Sequence, residues 1–392
     1  MTGGQVIGVL GASGAVGRAA VRELRDLGRA PAALGGRHPN ALREIAERDL
    51  AGGADAVGVD MADPASLAGF AARCDLVLNC AGPTYRFRDT VAAAALDAGV
   101  HCVDVAGDDP AAEALLRRDD DAAGGPSVVL SAGTLPGLSS ILPRWLAQRE
   151  LETVNALTAH CGGLEWCSPT VAEDMMLSLT TGGADGASYG EPSAAWRAGR
   201  KQSGVLRPAE NVSPPGFPGT AAVQPFLSAE IERLCADLAL DRADWFNVYP
   251  GRQVHALLNL LPGKLAAGAD RAQVAERLML AARLDLAGRT PYYAMHFAIT
   301  GTTGGKPAER RLTVRTASSY RLTAAVGALA ADAVLRGTVP PGVHFACDVL
   351  DPEAVVGWIG ESGAARFELS AASGEEPADS RFPVGVAEEG VL

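Results

Sequence analysis

Lysine is nearly missing from this chain: of 392 residues only Lys201, Lys264 and Lys306 are lysine, so the first 200 residues have none. That half cannot supply a lysine for Schiff-base or acid–base chemistry. Positive charge is scarce as a whole. The chain has 34 Lys and Arg against 46 Asp and Glu, a formal net charge of −12, which argues against nucleic acid or an anionic membrane surface as a partner. No apolar run reaches the ~18 residues that a membrane helix needs, and the first strand, from Val6, leaves no room for a secretory signal. The seven cysteines are odd in number and scattered, the pattern of reduced thiols in a cytosolic protein rather than of a disulfide framework. His160, Cys161 and Cys167 lie close together, but their spacing fits no zinc template, and no metal is expected. Against these gaps stand 48% hydrophobic residues, enough for a sizeable core, and a length that suggests two domains.

The organising stretch is Val6 to Arg18, VIGVLGASGAVGR. Val6 to Leu10 reads as a buried parallel strand. Gly11, Gly14 and Gly17 follow, then a helix with Val16, Ala20, Val21, Leu24 and Leu27 on one face. In such a turn the first glycine permits the bend, the second lets backbone approach a pyrophosphate, and the third lets helix and strand pack closely. The helix amino end offers free N–H groups and the positive end of its dipole to phosphates. In a chain with 46 glycines, a bland tight turn is the alternative. A second strand, Pro31 to Leu34, runs into Gly35, Gly36, Arg37 and His38. An NAD site calls for a carboxylate here, whereas a 2′-phosphate calls for a cation. Arg37 is able to bond a phosphate bidentately, so NADP(H) is expected over NAD, with a solvated surface arginine as the alternative.

The alternation continues through strands at 56–59, 76–79, 101–105 and 127–130. Asp60 and Met61 follow the first of these, and Asp60 is placed either to reach an adenine amino group or to cap its own loop. Cys80, Ala81, Gly82 and Pro83 follow the second, small enough to leave space for a nicotinamide ribose. Asp104, Ala106, Gly107, Asp108 and Asp109 stand at the third. Six strands alternating with helices predict an α/β, doubly wound parallel sheet whose ligands lie beyond the carboxyl ends of the strands. Tyr85 and Asp108, near those ends, are the candidate proton donors. Covering the cofactor is the alternative for Tyr85, and Asp109-Pro110 is a good helix start.

GASGAVG, the GGR strand end, LVLNCAGP, GVHCVDVAGDDP and SAGTLPGLSSILPRWLA together resemble the saccharopine dehydrogenase-like (saccharopine reductase) family. The resemblance covers about the first 147 residues and returns weakly at 311–337. It implies an NADP-linked oxidoreductase with a Rossmann domain and a second α+β domain, passing hydride to or from an imine carbon. Some relatives reduce carbon–carbon double bonds in lipid assembly. Carried over by position, Gly11, Ala12, Ser13, Gly14, Ala15 and Val16 would hold the pyrophosphate, and Arg37 the 2′-phosphate. Asp60 and Met61 would meet adenine, and Cys80, Ala81, Gly82 and Pro83 the nicotinamide ribose. Asp104, Ala106 and Gly107 would lie beside nicotinamide and substrate. Leu135 stands where saccharopine reductases tend to have aspartate, which separates this chain from saccharopine itself.

The second half reads as a strand at 154–160, helices at 169–179, 229–238 and 272–287, and a hairpin of 290–300 with 310–316. Residues 182–219, rich in Gly, Pro and Ser, read as an irregular lid loop, in which Arg197 or Arg200 would clamp a carboxylate or face solvent. Tyr293, Met295, Phe297 and Ile299 form the core face of the hairpin; Tyr292, Ala294, His296 and Ala298 face solvent, a dimer contact or the substrate cleft. A helix at 319–335 is expected to fold back on the first domain. The division is then 1–135 for the nucleotide domain, 136–370 for a substrate and dimerisation domain, and 371–392 for an acidic, poorly ordered tail. A homodimer acting on a small-molecule substrate is expected. A short arginine-lined cleft would favour an imine from an amino acid; a long apolar tunnel would favour an enoyl reductase on a lipid or carrier-bound chain. A binding module that senses NADP(H) without turnover is the third possibility.

Overall fold

The computed structural model describes residues 5–118, 125–179 and 189–371. Short apolar strands alternate with helices through the first part of the chain: β1 (Ile7–Leu10), α1 (Ala15–Asp26), β2 (Ala33–Gly36), α2 (Pro39–Leu50), β3 (Asp55–Gly58), α3 (Pro64–Ala71), β4 (Leu76–Asn79), α4 (Thr84–Phe87), α5 (Thr90–Asp97), β5 (His101–Asp104), α6 (Asp109–Leu116), β6 (Ser127–Leu130) and α7 (Leu138–Glu150). β1, β4 and β6 are buried along their whole length, as strands covered on both faces must be. The chain continues as β7 (Thr153–Leu164), α8 (Pro169–Leu179), β8 (Gly190–Pro192), β9 (Ala195–Arg197), β10 (Arg200–Gln202), β11 (Ala209–Val212), β12 (Ala221–Ser228), α9 (Ala229–Asp237), β13 (Arg242–Tyr249), α10 (Arg252–Ala266), α11 (Arg271–Leu286), β14 (Tyr292–Thr303) and β15 (Lys306–Thr316). It ends with α12 (Ser319–Leu335), β16 (Gly342–Phe345), α13 (Ala346–Val349), α14 (Pro352–Glu361) and β17 (Arg366–Ala371).

The first sheet is parallel throughout, in the order β16-β6-β5-β4-β1-β2-β3. Strand order reverses between β1 and β4, and the carboxyl ends of that pair open the crevice where such sheets bind ligands. The six expected strands are joined by a seventh, β16. Four half-buried residues behind two prolines gave it no strand signal. Gly35 and Gly36 belong to β2 itself rather than to the turn after it.

The second sheet is mixed, with ten strands and a main path β10-β9-β13-β7-β14-β15-β17. β13 and β7 run parallel, while β14 pairs antiparallel with both β7 and β15. Phe297, Met295 and Ile299 are fully buried, as the alternation predicted. The opposite face of β14 is covered within the chain at His296: its Nδ1 pairs with Thr313 Oγ1 at 2.9 Å, and Gly216 lies against the ring. The expected lid corrects in part. Residues 182–188 lie outside the described residues, but 190–212 carry four short strands, β8 to β11, added to the sheet margin rather than an irregular loop. Backbone pairing across separate segments leaves no local period to read.

The alanine-rich α12 lies buried against α1, β4 and β5, held by Arg29–Asp332 at 2.8 Å and Arg321–Glu23 at 3.0 Å. The second half of the chain thus returns to the first sheet twice, in α12 and in β16. The expected acidic tail lies, from residue 372 on, outside the described residues.

Candidate active site

At the switch point the glycine turn is built as its sequence implies. Gly11 sits at φ +77°, its N–H and that of Ala12 bonded to Gly35 O. A Cβ on Gly17 would lie 2.2 Å from Gly11 O and 2.7 Å from Ala12 Cα, so only glycine lets α1 start this close to the loop. The amino end of α1 has Gly14 as N-cap, no side-chain cap and no acidic residue in its first turn. Its orphan amides are therefore open to an anion. Ser13 and Ala15 are half-buried around this end, and Val16 packs against the core. At the end of β2, Gly36 lies beside Ser13, and Arg37 is exposed. These residues fit a dinucleotide phosphate. Asp60, next along the edge, accepts from Ala62 N at 2.9 Å, the loop-cap geometry, and Met61 packs on the core of that side.

The ends of β4 and β5 are tied together. Asn79 Nδ2 donates to Asp104 Oδ2 at 2.8 Å, Asn79 Oδ1 accepts from Ala81 N, and Asp104 Oδ1 accepts from Ala106 N. Asp104 is buried, and burial lifts its carboxyl to about 6. It acts here as the brace that sets the Cys80–Pro83 and Ala106–Gly107 turns rather than as an open ligand group. Burial also pushes the Cys80 thiol far up, which keeps it neutral.

Beyond these turns the second half of the chain closes in. On α8, Asp174 accepts from Thr84 N at 3.2 Å and Tyr85 N at 3.1 Å, capping α4 from outside, and Thr170 packs on Gly82. Asp174→Ala should lower stability by about 1–2 kcal/mol, the value of a lost helix cap, read from urea denaturation. Tyr85 packs against Tyr189 with ring centroids 4.0 Å apart and ring planes tilted by 52°. Burial, then Asp108, Asp174 and Glu230, push its hydroxyl well above the usual tyrosine range. Asp108, the N-cap of α6, is lifted to about 8 by burial, then by Asp109 and Glu230. On α9, Glu230 accepts from Gly137 N at 2.8 Å and Ser139 Oγ at 2.6 Å, and burial raises its carboxyl. Arg233, one turn on, pairs with Asp109 and lies 3.6 Å from the Phe345 ring centroid. The structure thus brings Tyr85 and Asp108 together. Asp174, Glu230 and Arg233 were not evident in the sequence because α8 and α9 give no local sign of docking here, and Asn79 because it reads simply as the last residue of a strand. Arg197 and Arg200 are not in this group: Arg197 pairs with Asp244 at the far sheet margin, and Arg200 is exposed.

On the other side of α8 lies a cavity of about 270 Å³. The carboxyl ends of β7 and β13 form its floor, and α8, α10, α11 and the start of α12 its walls. Trp166, Val171, Met175, Tyr249, Tyr293 and Tyr320 give it an aromatic and apolar lining, with Leu135 among them. Its polar groups include Glu165, which accepts from Ser319 N at 2.7 Å, and Asp285, whose two oxygens cap α10 through Gln253 N and Val254 N. Among the described residues lining it there is no arginine, lysine or histidine. It is neither the arginine-lined cleft nor the long tunnel set out above.

Residues 7–129 match the family model described as saccharopine dehydrogenase NADP binding domain. The saccharopine dehydrogenase-like oxidoreductases of Mus musculus and Rattus norvegicus are each 30% identical over 115 residues, 26% of this chain. The match spans 27% of the length of those relatives. An apo saccharopine dehydrogenase (L-Glu forming) from Saccharomyces cerevisiae superposes with a TM-score of 0.67 at 15% identity, over 94% of this chain and 100% of that one. The amino-terminal part of the chain therefore matches a saccharopine dehydrogenase NADP-binding domain, as the sequence resemblance implied, and the chain as a whole shares the fold of the yeast enzyme.

Proposed function

We propose that the chain is an NADPH-dependent oxidoreductase that passes hydride to or from a C=N bond. The observation that carries this is the carboxyl edge of the first sheet, which presents the uncapped end of α1, the exposed Arg37 at the end of β2, and Tyr85 and Asp108 past the ends of β4 and β5. On this reading the cavity across α8, at the carboxyl ends of β7 and β13, is the substrate side. When bound, the cofactor supplies or accepts the hydride. On this reading Gly11 to Val16 hold the pyrophosphate, Arg37 the 2′-phosphate, Asp60 and Met61 the adenine side, and Cys80 to Pro83 with Ala106 and Gly107 the nicotinamide side. Tyr85 and Asp108 hold the proton that the substrate nitrogen takes. Residues 1–135 with α12 and β16 are the nucleotide domain, the remainder of 136–370 the substrate and dimerisation domain, and the assembly is a homodimer in the cytosol, to be read by light scattering and fractionation.

The test is label transfer. NADPH deuterated at the nicotinamide C4, incubated with a panel of imines, should leave deuterium on the former imine carbon. An unlabelled product, or equal use of NADH, would overturn the assignment. The apolar lining favours a second reading, reduction of a C=C bond, and a matched enone panel separates the two. Tight NADPH binding with turnover on neither panel would instead leave a non-catalytic module.

The acid pair sets a pH profile. Asp108 has its carboxyl lifted from 3.8 to about 8. Reductive kcat/KM should fall as pH rises through about 8, and Asp108→Asn should remove that limb. The folded protein holds this proton more tightly than the unfolded chain does. Its contribution to stability is therefore complete below 3.8 and lost as pH rises through about 8. Thermal melts at pH 6 and pH 9, roughly two units below and one unit above the transition, should differ more in the parent than in Asp108→Asn.

A further inference from the structure

We propose that the cavity behind α8 takes a hydrophobic amine, or the iminium ion from which it forms, and excludes substrates that carry a carboxylate. The proposal rests on the oxidoreductase reading above and names the substrate class for it. Trp166, Tyr249, Tyr293 and Tyr320 all line the cavity, and aromatic faces attract a desolvated cation. Glu165 and Asp285 are the carboxyl groups on the lining, the first accepting from Ser319 N and the second from Gln253 N and Val254 N. A substrate carboxylate would find no cationic partner among the described lining residues. No arginine, lysine or histidine is among the described lining residues, and residues 180–188, which follow α8, contain none in sequence. An anion placed against Glu165 and Asp285 would lose its hydration and meet repulsion. A site for a carboxylate must neutralise it, and arginine is the fitted side chain for that; this lining has the opposite character.

The step balances simply. Hydride from NADPH bonds to the iminium carbon, the C=N π electrons pass to nitrogen, and the products are NADP⁺ and a neutral amine. Starting from a neutral imine, one proton is taken up at nitrogen first. The amine then takes a proton from water, so substrate and released product both carry positive charge.

Three related probes test the proposal on the full chain saturated with NADP⁺, by calorimetry: N-benzylcyclohexylamine, its near-isostere benzyl cyclohexyl ether, and the carboxylated amine N-cyclohexylphenylglycine. The amine should bind about tenfold more tightly than the ether, and the carboxylated amine at least tenfold more weakly than the amine. Glu165→Gln should bring the amine down to the level of the ether and leave the ether unchanged. Glu165 also holds Ser319, so a second variant guards against misfolding: Leu135→Arg, at a half-exposed lining position, should strengthen the carboxylated probe and weaken the amine. Equal binding of amine and carboxylated amine, equal binding of amine and ether, or no binding of any probe while NADP⁺ still binds would each overturn the proposal. Loss of NADP⁺ binding in the unmodified chain would overturn the oxidoreductase reading instead.

Discussion

Gly17→Ala should cost the protein about 3 kcal/mol or more and remove measurable NADPH binding with it. The added methyl would sit 2.2 Å from Gly11 O, 2.7 Å from Gly11 C and 2.7 Å from Ala12 Cα. All three are backbone atoms, so no side-chain rotation relieves the clash. Either α1 lifts away from β1 or the loop at Gly11 shifts. Lifting α1 opens the contacts of Ala20, Val21 and Leu24, each fully buried, and disturbs the packing of α12 on its outer side. Shifting the loop moves the amides offered to phosphate. The relief route therefore decides only the balance between lost stability and lost affinity. Gly69→Ala is the control, since a Cβ there meets nothing within 4 Å on the exposed face of α3. It should be neutral or stabilising by up to about 1 kcal/mol. Urea denaturation and the NADPH fluorescence titration, run on both variants, read the two effects separately. Parent-like behaviour of Gly17→Ala on both would mean that the turn is not the constrained element described here.

The same contrast explains what was legible in the sequence. Each strand, turn and helix of the first sheet is local: VIGVLGASGAVG carries its own strand, bend and helix start within a dozen residues. The elements of that sheet and the phosphate turn could therefore be read directly. β12 and β13 pair across intervening segments, β9 and β10 have three residues each, and α10 carries Pro262 inside it. No periodic signal of useful length survives there. The site divides in the same way. Tyr85 and Asp108 stand six and four residues past the ends of β4 and β5 and were visible. Asp174, Glu230 and Arg233 reach the cleft from helices whose docking depends on the whole second sheet. The cavity is more extreme, since its lining comes from β7, β13 and four helices, and no motif announces its missing cations.

Arg37→Ala should weaken NADPH binding about 10- to 100-fold and leave NADH binding unchanged. The range follows from charge-assisted hydrogen bonds of about 1.5–3 kcal/mol. Two features of the structure support so selective a loss. Arg37 is exposed at the end of β2, next to the glycines that leave this edge open, so its removal disturbs no packing. The carboxylate that would hold a ribose 2′-OH is absent from the end of β2, where Gly35, Gly36, Arg37 and His38 stand in sequence. The discrimination then rests on the guanidinium alone, aided by the helix dipole for the shared pyrophosphate but not for the 2′-phosphate. Two further results separate this from a general loss of affinity. NADPH affinity of the parent should fall with added salt more steeply than that of the variant, because one exposed ion pair is screened away. Arg37→Asp should go further and reverse the preference, repelling the 2′-phosphate while offering an acceptor to the free 2′-OH. If Arg37→Ala weakens NADH and NADPH equally, the arginine serves the loop and not the third phosphate, and the cofactor preference must be sought elsewhere along the sheet edge.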